Sequence, residues 1–137
     1  MHCIYYATSQ LELIYHVATL MPTIEGDDQQ ISKKRHVGND HVNIIWSENS
    51  HNYRNYTVPS QYNSVHIIIY PLKNNLFRVQ IFKKDQKLIA FPWIDNAVLD
   101  QKMLVPMVRL MALNAHRSKY IFYEKLFLFN MNKIRLF

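Results

Sequence analysis

The chain is short of several things, and each shortage excludes something. Its 137 residues include two glycines and one cysteine. A lone Cys3 rules out an internal disulfide framework and suits a reducing compartment. No apolar run approaches the ~20 residues that a bilayer span requires. The N-terminus has no basic stretch followed by an apolar core of the kind that directs secretion. Asn55-Tyr56-Thr57 matches a glycosylation sequon, which has no use outside a secretory route. The expected location is therefore the cytoplasm. There is no G-x-x-x-x-G-K-[ST] loop to cradle phosphates, so the chain is not expected to hydrolyse nucleotides itself. No Ser or Cys sits in a glycine-flanked elbow that would expose a nucleophile. There are seven histidines, but not at metal-ligand spacing: His36 and His41 lie across a presumed helix end and Cys3 stands apart. No metal site is expected.

What is present points to a single compact unit. Hydrophobic residues make up 49% and charged residues 19%, a globular balance at a length that can bury one core. The net charge of +6 is uneven. Residues 1–60 carry four Lys/Arg against six Asp/Glu, and residues 61–137 carry twelve against four. A basic half favours nucleic acid, an anionic membrane face or an acidic protein surface, or is simply a solvated surface.

Cys3 to Tyr6 and Leu11 to Thr19 are rich in β-branched, aromatic and aliphatic residues and read as strands. The second is apolar enough in both alternating sets to be covered on both faces, and it stops at Met21-Pro22. Asp27-Asp28-Gln29-Gln30 has the acidic composition of a helix start, and Lys33, Lys34, Arg35 and His36 crowd the far end. Gly38 would supply the left-handed residue that closes a helix over about 27–37, with Asn39 just beyond. His41 to Trp46, Val65 to Tyr70 and Phe77 to Phe82 read as further strands, the last two joined as a hairpin through Pro71 to Asn75. After a loop containing Pro92, residues Leu104, Met107, Val108, Met111 and Ala115 show helical spacing within Met103 to Lys119, with Pro106 in the first turn. Strands with helices laid on them predict an α/β (α+β) fold, a mixed central sheet with flanking helices.

Two constellations could carry function. Lys83, Lys84 and Lys87 near Phe82 and Phe91 have the basic and aromatic interleaving of a single-strand nucleic-acid groove, although a solvated hairpin end is the better explanation of them. The segment Lys33-Lys34-Arg35-His36-Val37-Gly38-Asn39-Asp40 ends a cationic helix with a glycine and a short projecting carboxamide. By its pattern alone it could be a capped surface helix and nothing more.

That segment, with Ile14-Tyr15-His16-Val17-Ala18-Thr19-Leu20-Met21-Pro22 before it, resembles the core of the Rap/Ran-GAP catalytic domain shared by RapGAP, tuberin and the Ral GTPase-activating proteins. The likeness continues through Val42-Asn43-Ile44-Ile45-Trp46-Ser47-Glu48, Tyr53-Arg54 and the run from Val65 to Asn74, and ends near Met107-Val108-Arg109 and Asn114-Ala115. The Trp-Ser-Glu, Tyr-Arg and Tyr-Pro-Leu-Lys-Asn pieces are most similar to the Ral GTPase-activating protein α subunits. The resemblance implies a domain at residues 1–118 that lacks the family's N-terminal elements. Residues 119–137 would be an apolar and basic C-terminal tail outside the family pattern.

What the resemblance implies about function follows residue by residue. Asn39 matches the family's asparagine thumb, which enters the active site of a small GTPase and helps to position the attacking water. Lys34, Arg35, His36, Gly38 and Asp40 match positions that support the helix or contact the GTPase, with Arg35 structural and Lys34 a surface contact. No cofactor is implied, since Mg²⁺ and GTP belong to the partner. The implied partner is a Ras-like GTPase of Ral, Rap or Rheb type, with a homo- or heterodimer of activating subunits and peripheral membrane contact through the tail as further options. Nucleic acid is disfavoured. A non-catalytic GTPase-binding or dimerising fragment is the alternative.

Overall fold

The computed structural model describes residues 4–54, 64–88, 92 and 95–134, with side chains as far as Ile121. The order of elements is β1 (Ile4–Thr8), β2 (Leu11–Tyr15), α1 (Ile31–Asn39), β3 (Val42–Trp46), β4 (Val65–Pro71), β5 (Leu76–Lys83), β6 (Ala97–Asp100) and α2 (Gln101–Ile134). β1 and β2 form an antiparallel hairpin of their own. The other strands make a mixed four-stranded sheet in the order β3-β4-β5-β6, with β3 parallel to β4 and the remaining pairs antiparallel. The expected mixed α/β architecture is what forms.

The sheet is organised around β4. Val65, His66, Ile67, Ile68, Ile69 and Tyr70 are all buried, as expected of a central strand covered on both faces. Val65, Ile67 and Ile69 share one face with Val79 and Ile81 of β5. Leu104, Val108, Met111 and Ala115 of α2 close over that face at three- and four-residue steps, so the predicted apolar stripe is the real one. Burying a side chain such as Ile67 contributes about 1.5–3 kcal/mol. The opposite face carries His66 between the Tyr53 and Phe82 rings, while the Tyr70 hydroxyl accepts the Tyr53 N–H and donates to Gln80. The β4–β5 turn is tight because Asn74 and Asn75 both take positive φ, which asparagine tolerates.

Several expectations need correcting. β2 ends at Tyr15, and neither of its faces is buried: Glu12 and Ile14 are exposed, and Leu11, Leu13 and Tyr15 are half-buried. With only β1 beside it, the hairpin has too little area to cover itself. The last strand, β6, falls in the stretch read as loop; four residues are too few to show an alternation. α2 begins at Gln101, because the Asp100 carboxylate accepts the Met103 N–H at 2.8 Å and caps the first turn. Pro106 is thus the sixth helical residue rather than a first-turn one. The same helix runs on to Ile134, well past the predicted end at Lys119. Phe91, proposed with the basic cluster, lies outside the described residues.

Candidate functional site

The cationic helix forms where expected but with different ends. It starts at Ile31, because Asp27 caps it from the preceding turn and does not itself belong to the helix. The Asp27 carboxylate accepts the Ile31 N–H at 2.7 Å, the Ser32 N–H at 2.9 Å and the Ser32 hydroxyl. The Ser32 hydroxyl and these N–H groups hold its carboxyl below the usual carboxylate range. The left-handed glycine is Gly26, at φ +84°, not Gly38. Gly38 lies inside the helix, Asn39 is its last residue, and Asp40 leaves in an extended conformation with its N–H on the Val37 carbonyl. A glycine used as a helical residue explains why α1 extends two residues past the predicted end.

α1 buries none of its residues. Lys34, Arg35, His36 and Asn39 are exposed, and Gly38 and Asp40 are half-buried. The exposure of Arg35 means that burial gives no support to a structural role for it. Lys33 Nζ donates to Thr23 Oγ1 at 3.1 Å, which ties α1 to the segment before it. α1 is therefore an exposed cationic helix on the surface, not a core element.

Three contacts fix the end that bears Asn39. First, His16, just after β2, donates its Nδ1–H to both Asp40 carboxylate oxygens at 2.9 and 3.0 Å. A carboxylate only accepts, so this nitrogen carries the proton. The His36 ring stands 6.0 Å from that of His16, which brings His16, His36 and Asp40 together beside Asn39. Second, the His41 carbonyl accepts the N–H groups of Ser64 and Val65 at 2.9 and 3.1 Å, fastening the chain after Asp40 to the start of β4. Third, Lys119 Nζ on α2 donates to His41 Nδ1 at 2.6 Å. Sequence reasoning missed His16, His41 and Lys119 as site residues. His16 lay within the motif that carried the resemblance, but nothing local links it to Asp40.

Of the basic cluster, Lys83 does not face an open groove. Lys83 is buried, and its ammonium donates to the Gln86 and Leu88 carbonyls at 2.9 and 2.7 Å. Burial pushes its pKa below the ordinary lysine value. A cation spent on backbone carbonyls inside the fold cannot track a phosphate backbone.

What the site can do chemically is limited and specific. A carboxamide with both a donor and an acceptor is displayed at the end of a rigid element, and its neighbours are pinned to β2, β4 and α2. Such an arrangement can orient a water or a polar group on another molecule.

The chain also has recognisable relatives. The Rap/ran-GAP family profile matches residues 1–136. The Ral GTPase-activating protein subunit alpha-1 of Rattus norvegicus is 46% identical over 114 residues, covering 83% of this chain and 6% of that protein. The tuberous sclerosis 2 protein homolog of Schizosaccharomyces pombe is 34% identical over 122 residues, covering 82% of this chain and 9% of that protein. Among solved structures, the TSC2 GAP domain superposes with a TM-score of 0.77 at 35% identity, over 89% of this chain and 66% of that one. The chain thus spans less than a tenth of the two full-length relatives and about two thirds of the solved domain. With the profile matching nearly end to end, relatives at 34% and 46% identity over more than four fifths of the chain, and the same fold in a solved GAP domain, the chain belongs to the Rap/ran-GAP family.

Proposed function

We propose that this chain accelerates GTP hydrolysis on a small Ras-like GTPase of Ral, Rap or Rheb type by inserting Asn39 beside the nucleotide. The observation that carries the reading is the exposed Asn39 at the end of a cationic, core-free helix whose next residues are anchored on three sides. Phosphoryl transfer asks the protein mainly for positioning and charge stabilisation. A pinned carboxamide provides the first without a long, entropy-rich side chain. The partner GTPase holds Mg²⁺ and GTP. Lys34, Arg35 and His36, exposed on the same short helix, meet the acidic surface of the partner, and Asp40 with Gly38 sets the helix end. Relatives named as GTPase-activating proteins support this reading.

A second reading, a GTPase-binding or dimerising unit without catalysis, draws on the hairpin. Tyr5 and Ile14 pair across it and are 64% and 66% exposed, an apolar patch suited to a protein surface. Single-turnover hydrolysis on a panel of GTP-loaded Ral-, Rap- and Rheb-type GTPases decides between the two. Acceleration of one member supports catalysis and names the substrate. Binding with no change in rate on any member leaves only the second reading.

A further inference from the structure

Lys119 and His41 are 78 residues apart in the chain, yet they make the 2.6 Å contact that joins the long helix to the junction between α1 and β3. An ammonium has donors only, so His41 Nδ1 must be an unprotonated acceptor for this bond to exist. The surroundings are basic. From α2, the His116 ring stands 5.8 Å and the Tyr120 ring 6.2 Å from that of His41, with His116 and Tyr120 4.9 Å from each other. From the end of β5, Lys84 acts electrostatically on Lys119, and its N–H donates to the Ser64 carbonyl. On the other side Asp40, next in the chain, holds His16 from β2. Burial, then the charges of His41 and Lys119, push His116 below the ordinary histidine pKa. Burial, then Lys84, does the same to Lys119 among lysines. A further positive charge on His41 would remove the acceptor and add a repulsion in one step.

We infer that Lys119 and His41 are positioning residues for Asn39, forming a clamp that ties the chain just after the helix end to α2. The backbone of His41 is fixed to β4, so its side chain is what couples the junction to α2. Asn39 lies two residues upstream. Opening the clamp leaves the sheet, the His41 backbone bonds and the His16–Asp40 contact in place and removes one of three anchors at the end of α1, which loosens the alignment of the amide and not the contact with a partner. This rests on the functional reading above, because it concerns how Asn39 is aimed.

The test is single-turnover GTP hydrolysis on a GTP-loaded Ral-type GTPase. The variants are His41→Asn, Lys119→Met and Asn39→Ala. His41→Asn keeps an acceptor where Nδ1 stood and does not titrate. His41→Asn should keep the wild-type acceleration, because the acceptor for Lys119 is retained. Lys119→Met should lose about tenfold, the scale of a modest misplacement of a catalytic group, in the turnover rate and not in GTPase affinity. Activity-independent support comes from urea unfolding of His41→Leu, Lys119→Met and the double variant, whose effects should be non-additive. The clamp is overturned if Lys119→Met matches the wild type, if His41→Asn loses as much acceleration as Lys119→Met, or if the unfolding effects simply add. Failure of the functional reading looks different: Asn39→Ala would then accelerate hydrolysis as well as the wild type, or neither would, and the positioning role would fall with it.

Discussion

The sheet with α2 and the arm made of β1, β2 and α1 are opposites in construction. β4 buries six consecutive residues, and α2 lays Leu104, Val108, Met111 and Ala115 over one of its faces. The arm buries nothing within its three elements. Its cohesion comes from directional contacts: Asp27 on the start of α1, His16 on Asp40, Lys33 on Thr23, and the Arg109 guanidinium of α2 4.0 Å over the Tyr6 ring. Apolar burial is strong and non-directional, whereas hydrogen bonds to charged groups are weaker in sum but fix orientation. A molecule that must present one amide to a partner can therefore keep its stability in the sheet and its aim in the arm.

The comparison breaks most visibly if a core truncation fails to unfold the protein. Ile67→Ala, at a fully buried position, should cost about 3 kcal/mol by urea unfolding. A loss below about 1 kcal/mol would mean that β4 is not the centre of the fold. Next comes the arm: His16→Leu should lower GTPase acceleration about tenfold with little change in global stability, since it releases Asp40 and not the core. A large fall in melting temperature with unchanged turnover would reverse the division of labour. Third, Gly26→Ala should cost about 1 kcal/mol, because its φ is +84° while no atom crowds the added methyl. Gly38→Ala, at a helical position, should not show that backbone penalty. Equal losses at the two glycines would contradict the observed helix end.

The smallest effect is one of pH. Burial holds His66 below its ordinary pKa, so the unfolded chain takes up this proton first as the pH falls. The resulting contribution to stability is present above about pH 6.5 and is lost below it. His116 is shifted in the same direction and adds to the trend. His66→Phe keeps an aromatic ring between Tyr53 and Phe82 and should flatten the acid side of the unfolding profile. An unchanged slope would mean that His66 is not desolvated.

What was legible in the sequence follows the same division. The core announces itself locally: the run from Val65 to Tyr70 and the spacing from Leu104 to Ala115 are properties of neighbouring residues, and both appear as read. The cationic segment and its asparagine were legible too, yet the ends of α1 were misread for one reason. Asp27 and Gly38 were taken as markers of helix ends at their own positions. Asp27 instead reaches forward four and five residues, and the positive φ is at Gly26. β6 was too short to register. The anchors His16–Asp40 and His41–Lys119 span 24 and 78 residues, so no local pattern could reveal them.

The central claim is that the Asn39 amide, and not mere contact, produces the acceleration. The direct measurement is single-turnover hydrolysis by a GTP-loaded Ras-like GTPase with wild-type chain and with Asn39→Ala, alongside the affinity of each for that GTPase. Asn39→Ala should bind within about threefold of the wild type and lose nearly all of an acceleration that can reach ~10⁵ in such systems. An Asn39→Ala variant that binds normally and accelerates as well as the wild type would contradict the account.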